Sequence, residues 1–437
     1  MLKVVKFGGS SLADAAQFKK VADIIKSDES RRYVVPSAPG KRSKTDTMVT
    51  DMLYACYDMA SKGEDFTKFF SDIEARYNGI ITELGLDYSL GSEFESIRNA
   101  FIHKAGRDYA ASRGEYLNGL ILAKYLGFDF IDAATVIFFK DNGQLDSERT
   151  NTVLGAKLRQ HEHAVIPGFY GSMPNDTIKT FSRGGSDITG SIVARAAECD
   201  LYENWTDVDG FLMADPRVVD NPRVIGEVTY KELRELSYMG AGVLHEDAIF
   251  PVRFAGIPIN IRNTNNPAAH GTLILSQSSK FDTGNVITGV AGKKGFSVIT
   301  IEKDMMNAEV GFGRRVLEVL ESNEMCFEHL PSGIDNMSVI VNTHELEGRR
   351  ERILNGICRA VNPETVDIED GLALIAVVGR AMVKAKGTAA RVFKAISGAG
   401  INIRMIDQGS SEISIIVGVE EVDFENAMRA IYQEFVY

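Results

Sequence analysis

A lysine at the end of an apolar run, followed at once by two glycines and two serines, opens the chain as KVVKFGGSS over residues 3–11. Backbone N–H groups of Gly8, Gly9 and Ser10, between a strand end and a helix start, can converge on an anion, with Lys6 supplying a point charge. An ordinary strand-to-helix turn explains the same residues, and the spacing is not that of the G-x-x-x-x-G-K-[ST] phosphate loop. A second glycine loop, FSRGGSD at residues 181–187, sets Arg183, a glycine pair, Ser186 and Asp187 directly before a helix with apolar Ile188, Ile192 and Val193. Ser186 or Asp187 could simply cap that helix. Arg183 could equally offer a guanidinium fork to a carboxylate, beside main-chain donors for a second anion. Glu115, in ASRGEYLNGLIL, sits in an otherwise amphipathic helical stretch. It is either a solvated or Arg113-paired glutamate, or a carboxylate placed to meet an ammonium group. Arg183 and Glu115 held together would recognise an α-amino acid.

The elements that must hold these residues alternate along the chain. Residues 4–7 read as a strand and 13–27 as a helix whose apolar side carries Phe18, Val21, Ile24 and Ile25. A short strand at 33–35 and a polar loop at 36–44 come next. The apolar spacing then predicts helices over 47–62, 65–84 and 92–125. Strand-like runs recur at 129–132, 164–167, 201–204 and 258–262, which argues for an α/β domain with a mainly parallel sheet and helices on both faces. On such a sheet ligands gather at the carboxyl ends of the strands.

A chain of 437 residues exceeds one hydrophobic core and predicts two or three domains. A net charge of −12 argues against a broad nucleic-acid surface, so anionic ligands must meet local cationic sites. No apolar stretch is long enough to span a bilayer, and the N-terminus does not read as a signal peptide. Cys56, Cys199, Cys326 and Cys358 are scattered without metal-ligand spacing, and a cytoplasmic protein without a metal site is expected.

The last third contains a repeat. Shifting the sequence by 76 residues lays 311–341 over 387–417 without a gap, matching Gly311 with Gly387, Arg315 with Arg391, Val316 with Val392, Ser338 with Ser414 and Val341 with Val417. Each copy reads as glycine turn, amphipathic helix, strand, polar turn and alternating strand. Such appended α+β modules point to regulation or dimerisation, or to a plain assembly platform.

Taken together, KFGGSS at 6–11, RGE at 113–115, SRGGSD at 182–187, NWTDVDGFLMADPR at 204–217 and GVLHEDAI at 242–249 make the chain resemble the aspartate kinases of the amino-acid kinase family over essentially its full length. The repeat resembles their paired ACT modules, of ferredoxin-like α+β fold. The resemblance implies a catalytic domain over 1–284, a first ACT domain over 296–370 and a second over 371–437, interleaved or not, with 276–295 as the connection. It implies ATP- and Mg2+-dependent phosphorylation of the β-carboxylate of L-aspartate, the first step toward lysine, threonine and methionine. Lys6 and Asp187 would be catalytic. Lys6, Phe7, Gly8, Gly9, Ser186, Thr206, Asp207, Leu212, Asp215 and Arg217 would hold the nucleotide. Ser37, Thr45 (with Thr47 as rival), Glu115, Arg183, Ser186 and Asp187 would hold aspartate. An amino-acid effector, lysine foremost, would bind the first ACT module at Met306, Gly311, Glu328, Ser332 and Asp335. A homodimer through the ACT modules, or a tetramer, would follow. Two departures from the family pattern stand out: Gly242 where relatives carry a lysine, and Leu212 where some carry tyrosine. An inactive amino-acid sensor, or glutamate 5-kinase or acetylglutamate kinase chemistry, are the alternatives.

Overall fold

The computed structural model describes residues 1–436 apart from Arg183, 242–245 and 278–285, with the side chains of Glu246 and Asp247 also outside the description. The chain divides into two compact units. The first comprises Met1–Phe211, Val224–Tyr230 and Val243–Ser278; the second comprises Leu212–Arg223, Lys231–Gly242 and Ser279–Tyr437.

In chain order the elements up to residue 275 are β1 (Lys3–Phe7), α1 (Ala15–Lys26), β2 (Arg31–Pro36), α2 (Val49–Lys62), α3 (Thr67–Glu83), α4 (Gly91–Ile102), α5 (Arg107–Leu126), β3 (Asp129–Phe130), α6 (Ser147–Leu158), β4 (Ala164–Val165), β5 (Tyr170–Ser172), β6 (Ile178–Thr180), α7 (Gly185–Ala196), β7 (Leu201–Thr206), β8 (Glu227–Thr229), α8 (Tyr230–Tyr238), α9 (Glu246–Ala255), β9 (Ile259–Asn263) and β10 (Thr272–Leu275). The sheet runs β3-β4-β2-β1-β7-β9-β10-β8 and is parallel except between β9 and β10. The α/β expectation is met.

Strand β1 lies in the middle, between β2 and β7, and Lys6 pairs across to Asn204. Because side chains alternate along a strand, Val5, Phe7, Glu203 and Trp205 share one face, and Lys6 and Asn204 share the other. The first face packs on α1, α2, α3 and α5 in one apolar core, where Phe7 stacks on Trp205 at 5.9 Å. Helix α1 starts because the Asp14 carboxylate accepts the Gln17 N–H at 2.9 Å.

Two sequence expectations change. The helix predicted over 92–125 is two helices, broken at 103–106 where Lys104 and Gly106 adopt φ of 56° and 109°. The positive φ at both positions ends one helix and starts the next. Helix α5 is also not amphipathic: Ser112, Arg113, Glu115 and Asn118 are buried along with Leu117, Ile121 and Leu122. A helix enclosed on most sides offers polar positions no solvent, so each must find a partner or a ligand.

The second unit continues with β11 (Gly289–Glu302), α10 (Phe312–Glu321), β12 (Asn336–Asn342), α11 (Arg350–Val361), β13 (Thr365–Val378), α12 (Thr388–Gly398), β14 (Met405–Asp407), β15 (Ser414–Glu420) and α13 (Phe424–Val436). Its antiparallel sheet runs β12-β11-β13-β15-β14. The two sequence copies occupy equivalent places: Gly311 and Gly387 cap α10 and α12 with φ of 79° and 86°, and Val316 and Val392 are fully buried. Part of the stretch read as a connection is strand. Residues 289–293 of β11 pair with 374–378 of β13, and 296–302 pair with 365–372, so a segment ahead of the first copy completes the sheet of the second.

Candidate active site

The carboxyl ends of β1 and β2, with the start of α7, enclose a cleft of about 260 Å3 lined by Lys6, Ser37, Met48, Thr50, Asp51, Glu115, Phe169, Gly184, Gly185, Ser186 and Asp187. Lys6 and the second glycine loop of the sequence therefore meet on the side of the sheet where parallel strands leave ligands room, while Gly8 and Gly9 do not line the cleft. After β1 the chain turns through residues 9–12 as a short 3-10 segment, with the Gly8 N–H donating to the Trp205 carbonyl at 3.0 Å. The loop after β2 lies against it. The Gly40 N–H donates to the Gly9 carbonyl at 2.8 Å, and a Cβ on Gly40 would stand 2.5 Å from the Gly9 carbonyl carbon. Here the glycine pair serves a backbone-to-backbone approach that no side chain would allow. Arg76 pins the same loop by donating to the Gly40 carbonyl at 2.5 Å, to Ala13 O at 3.0 Å and to Asp46 at 2.9 Å. Arg42 and Arg76 hold the Asp46 carboxyl far below its usual range.

Lys6 is buried, and its Nζ lies 2.6 Å from Asp187 Oδ1, which also accepts from Asn204 Nδ2 at 2.8 Å. This ion pair stands in the first turn of α7, whose N-cap Gly184 has φ of 63° and whose first amides face an anion with the positive end of the helix. Phe169, at φ 82°, is a bulky residue in the left-handed region; Thr189 Oγ1 accepts its N–H at 2.9 Å. Backbone strain of this kind gathers at functional sites.

Glu115 is the anomaly of the cleft. It is buried, and its Oε2 has no hydrogen-bond partner among the described residues. Burial pushes its carboxyl up to about 8, against the opposing pull of the Ala38 amide, the Ser186 hydroxyl and Lys6. A buried carboxyl left with an open acceptor is costly unless a donor arrives. Arg113 does not pair with it. Its guanidinium lies over the rings of Tyr109, Tyr116 and Tyr170 at 4.6, 4.4 and 5.3 Å and donates to Ser112 Oγ.

Of the residues singled out in the sequence, Lys6, Ser37, Glu115, Ser186 and Asp187 come together in the cleft. Arg183 and Gly242 lie outside the described residues. Thr45 does not join: it is exposed and its hydroxyl meets Ser43 Oγ at 3.1 Å, while Thr50 from α2 lines the cleft instead. The reason is the Arg76–Asp46 clamp, which fixes the loop with 41–45 facing solvent. Phe7 turns into the apolar core, so only its backbone can face a nucleotide. Thr206 ends β7, Asp207 follows it, and the two touch at 3.2 Å. Leu212, Asp215 and Arg217 fall in the second unit, where Arg217 forms a two-pronged pair with Asp215, 2.6 Å at its shortest. Sequence reading missed Phe169, Thr50 and Asp51; nothing in their local pattern marks them, because distant chain segments bring them in. Asn204 stood at the start of the NWTDVDG motif, but its place beside Lys6 comes from the pairing of β1 with β7.

In the second unit the proposed effector residues are each engaged within the fold. Met306 is buried in the apolar core of the first module, so its side chain is packing. Asp335 accepts the Met305 N–H at 2.9 Å, Ser332 lies in a bridge with Met337, Gly311 caps α10, and Glu328 turns to the Tyr238 hydroxyl.

No helix among the described residues is long and apolar enough to cross a membrane. The model of the amino acid kinase family matches residues 1–263, and that of an ACT domain matches 375–435. Aspartokinase 3 of Bacillus subtilis (strain 168) is 42% identical over 454 residues, covering 99% of this chain and 98% of its own length. A crystal structure of Clostridium acetobutylicum aspartate kinase, described as an allosteric enzyme, matches with a TM-score of 0.90 at 53% identity, covering 99% of each chain. E. coli aspartokinase III in complex with lysine and aspartate, in its T-state, matches with a TM-score of 0.73 at 25% identity over 100% of both chains. The chain belongs to the aspartokinases of the amino acid kinase family.

Proposed function

We propose that the chain transfers the γ-phosphoryl group of ATP to the β-carboxylate of L-aspartate, giving 4-phospho-L-aspartate and ADP, the first step toward lysine, threonine and methionine. The observation that carries this reading is the open Oε2 of buried Glu115 in the same cleft as the Lys6–Asp187 pair and the α7 N-terminus. An acceptor for an ammonium group and donors for anions, so close together, suit an amino acid meeting a phosphate. Glu115 takes the substrate ammonium, and Arg183 takes its α-carboxylate with help from Ser37 and Ser186. Thr50, not Thr45, supplies the hydroxyl from the α2 side.

The nucleophile needs no general base, since a carboxylate of ordinary pKa near ~3.9 is ionised at neutral pH. One carboxylate oxygen forms a bond to the γ-phosphorus while the bond to the β,γ-bridging oxygen breaks, its electron pair leaving on ADP. The obstacle is repulsion between anions, and fixed cations and amides reduce it. Lys6 neutralises the transferring group, and Asp187 with Asn204 fixes the lysine amine. The Gly9 amide, with Thr206 and Asp207, lies along the nucleotide, the Gly8 N–H being held by the Trp205 carbonyl. Among the described residues no three His, Cys, Asp or Glu side chains gather to hold a metal. The donors therefore fit a Mg2+ carried in on the phosphates, with Asp187 or Asp51 as a protein carboxylate. When bound, Mg2+ neutralises phosphate charge.

Residues 1–284 serve catalysis and 296–437 regulation, with lysine as the inhibiting effector at the first module and a cytoplasmic homodimer, or a tetramer, as the working form. An ADP-release assay with aspartate and MgATP tests the central reading: turnover saturable in aspartate and not competed by glutamate is expected. Folded protein that releases no ADP with aspartate overturns it. Titrated lysine that moves neither rate nor thermal stability overturns the effector assignment.

A further inference from the structure

Helices α10 and α11 of the second unit leave between them a cleft of about 440 Å3 that the proposed catalysis does not use. Its walls carry Arg315, Ser322 and Asn323 from one side and Arg352, Asn355 and Arg359 from the other. The floor is made by close approach: a Cβ on Gly356 would stand 2.7 Å from Val319 Cγ1, so glycine alone lets the helices meet there.

Two independent features point to a ligand. The first is unspent positive charge. The exposed side chains of Arg352 and Arg359 make no hydrogen bond or ion pair with any described residue, whereas the acidic residue on the wall, Glu318, is held by Arg314 at 2.8 Å. This cationic wall stands in a chain of net charge −12. The second is an orphaned buried donor. Arg315 spends its terminal nitrogens on Glu309 and on the Val310 carbonyl, leaving a buried Nε with no acceptor.

The spacing selects the chemistry. Arg352 and Arg359 are two helical turns apart, on the order of 10 Å along the axis. A single carboxylate or phosphate cannot engage both. A chain of phosphates can, and each guanidinium fork matches two phosphate oxygens. We propose that the cleft between α10 and α11 binds an extended polyphosphate anion, held by Arg352 and Arg359 at its ends and by Arg315 Nε between them. No aromatic ring lines the cleft, so nothing there stacks on a base, and the phosphate chain itself is what is recognised.

Titration calorimetry on the full chain tests this with inorganic tripolyphosphate as probe, in a Lys6→Ala background that weakens anion binding at the candidate active site. Binding of about one equivalent is expected, weakening as salt rises. The double substitution Arg352→Ala and Arg359→Ala is expected to cost roughly 100-fold in affinity, from two lost charge-assisted contacts. Arg352→Lys with Arg359→Lys should keep part of it and guards against a folding defect. Unchanged affinity in the alanine pair, or loss of all binding on Lys6→Ala alone, overturns the proposal. ATP and tripolyphosphate binding within a few-fold of each other supports phosphate recognition; ATP binding tenfold or more tighter overturns it.

Discussion

The same two strands, β1 and β7, carry a buried glutamate cluster on one face and the lysine of the cleft on the other, and the two sites are finished differently. Glu203, almost fully buried, accepts from Arg31 at 2.8 Å and from Trp205 Nε1 at 2.9 Å, with Lys3 at 3.4 Å and Arg262 at 3.8 Å. The Arg31 and Arg262 guanidiniums also lie over the Trp205 ring. Its charge is surrounded by donors, and nothing further is invited. Glu115 is equally buried yet keeps an oxygen free, beside a lysine that shares its single partner with Asn204. A saturated buried charge holds a fold together, and an unsaturated one waits for a ligand.

If the two sites divide labour in this way, substitutions should separate rate from stability. Lys6→Met removes the cation at the transferring phosphate and should lower kcat/KM for aspartate by about 10^2–10^3-fold or more, with the melting temperature held or raised, because Asp187 keeps Asn204 as a donor. A variant that unfolds early but turns over normally would reverse the assignment. Glu203→Ala should do the opposite. It strands Lys3, Arg31 and Arg262 without their buried carboxylate and should cost about 3–5 kcal/mol in urea unfolding, while the folded fraction keeps its KM for both substrates. A change confined to kinetics would mean that the cluster belongs to the site.

The loop that joins the two regions allows a finer separation. Gly40→Ala places a methyl against the Gly9 backbone and should cost about 1–3 kcal/mol, with a raised KM for nucleotide as the Gly8–Gly9 turn shifts. Gly79→Ala, at a half-buried position of α3 with open space where a Cβ would go, should instead stabilise by about 0.5–1 kcal/mol. Equal effects from both would show that the Gly9–Gly40 contact is not a constraint.

How much of this was legible beforehand follows from the range of the forces involved. The β1 turn and the repeat are local, so residue order alone exposed Lys6, and Gly311 with Gly387; it also set Ser186 and Asp187 at the start of α7, although the cap is Gly184 and neither side chain caps the helix. The α5 environment was not: buried polar residues break the apolar period, and the stretch read as an amphipathic helix is enclosed instead. The break at 103–106 was written in Gly106 but masked by the apolar spacing on both sides. Thr45 and Met306 were misplaced for one reason, that motif position does not say which way a loop faces. Arg76, 30 residues from Asp46 in sequence, turns one loop outward, and the apolar core of the first module draws Met306 inward. Phe169, Thr50 and Asp51 reach the cleft through tertiary packing that no local signal encodes.

A pH profile isolates Glu115 itself. In the unfolded chain its carboxyl loses a proton near 4.5, and in the empty folded site only near about 8. Between those values the folded state binds more protons, so this group's stabilisation, whole below 4.5, is lost as pH rises through about 8. The slope from one such group is at most about 1.4 kcal/mol per pH unit. Glu115→Gln removes it, so the difference in unfolding free energy between variant and parent should shift in favour of the variant as pH increases from 5 to 8, with aspartate binding roughly tenfold weaker near the upper end of that range. Aspartate should reverse the trend in the parent, since its ammonium favours the ionised carboxylate and expels the proton. The KM for aspartate should then fall as pH approaches about 8 in the parent and stay flat in the Gln variant. Parallel stability and KM profiles in both proteins would place the open oxygen of Glu115 outside substrate binding, and with it the feature that separates this site from the closed cluster around Glu203.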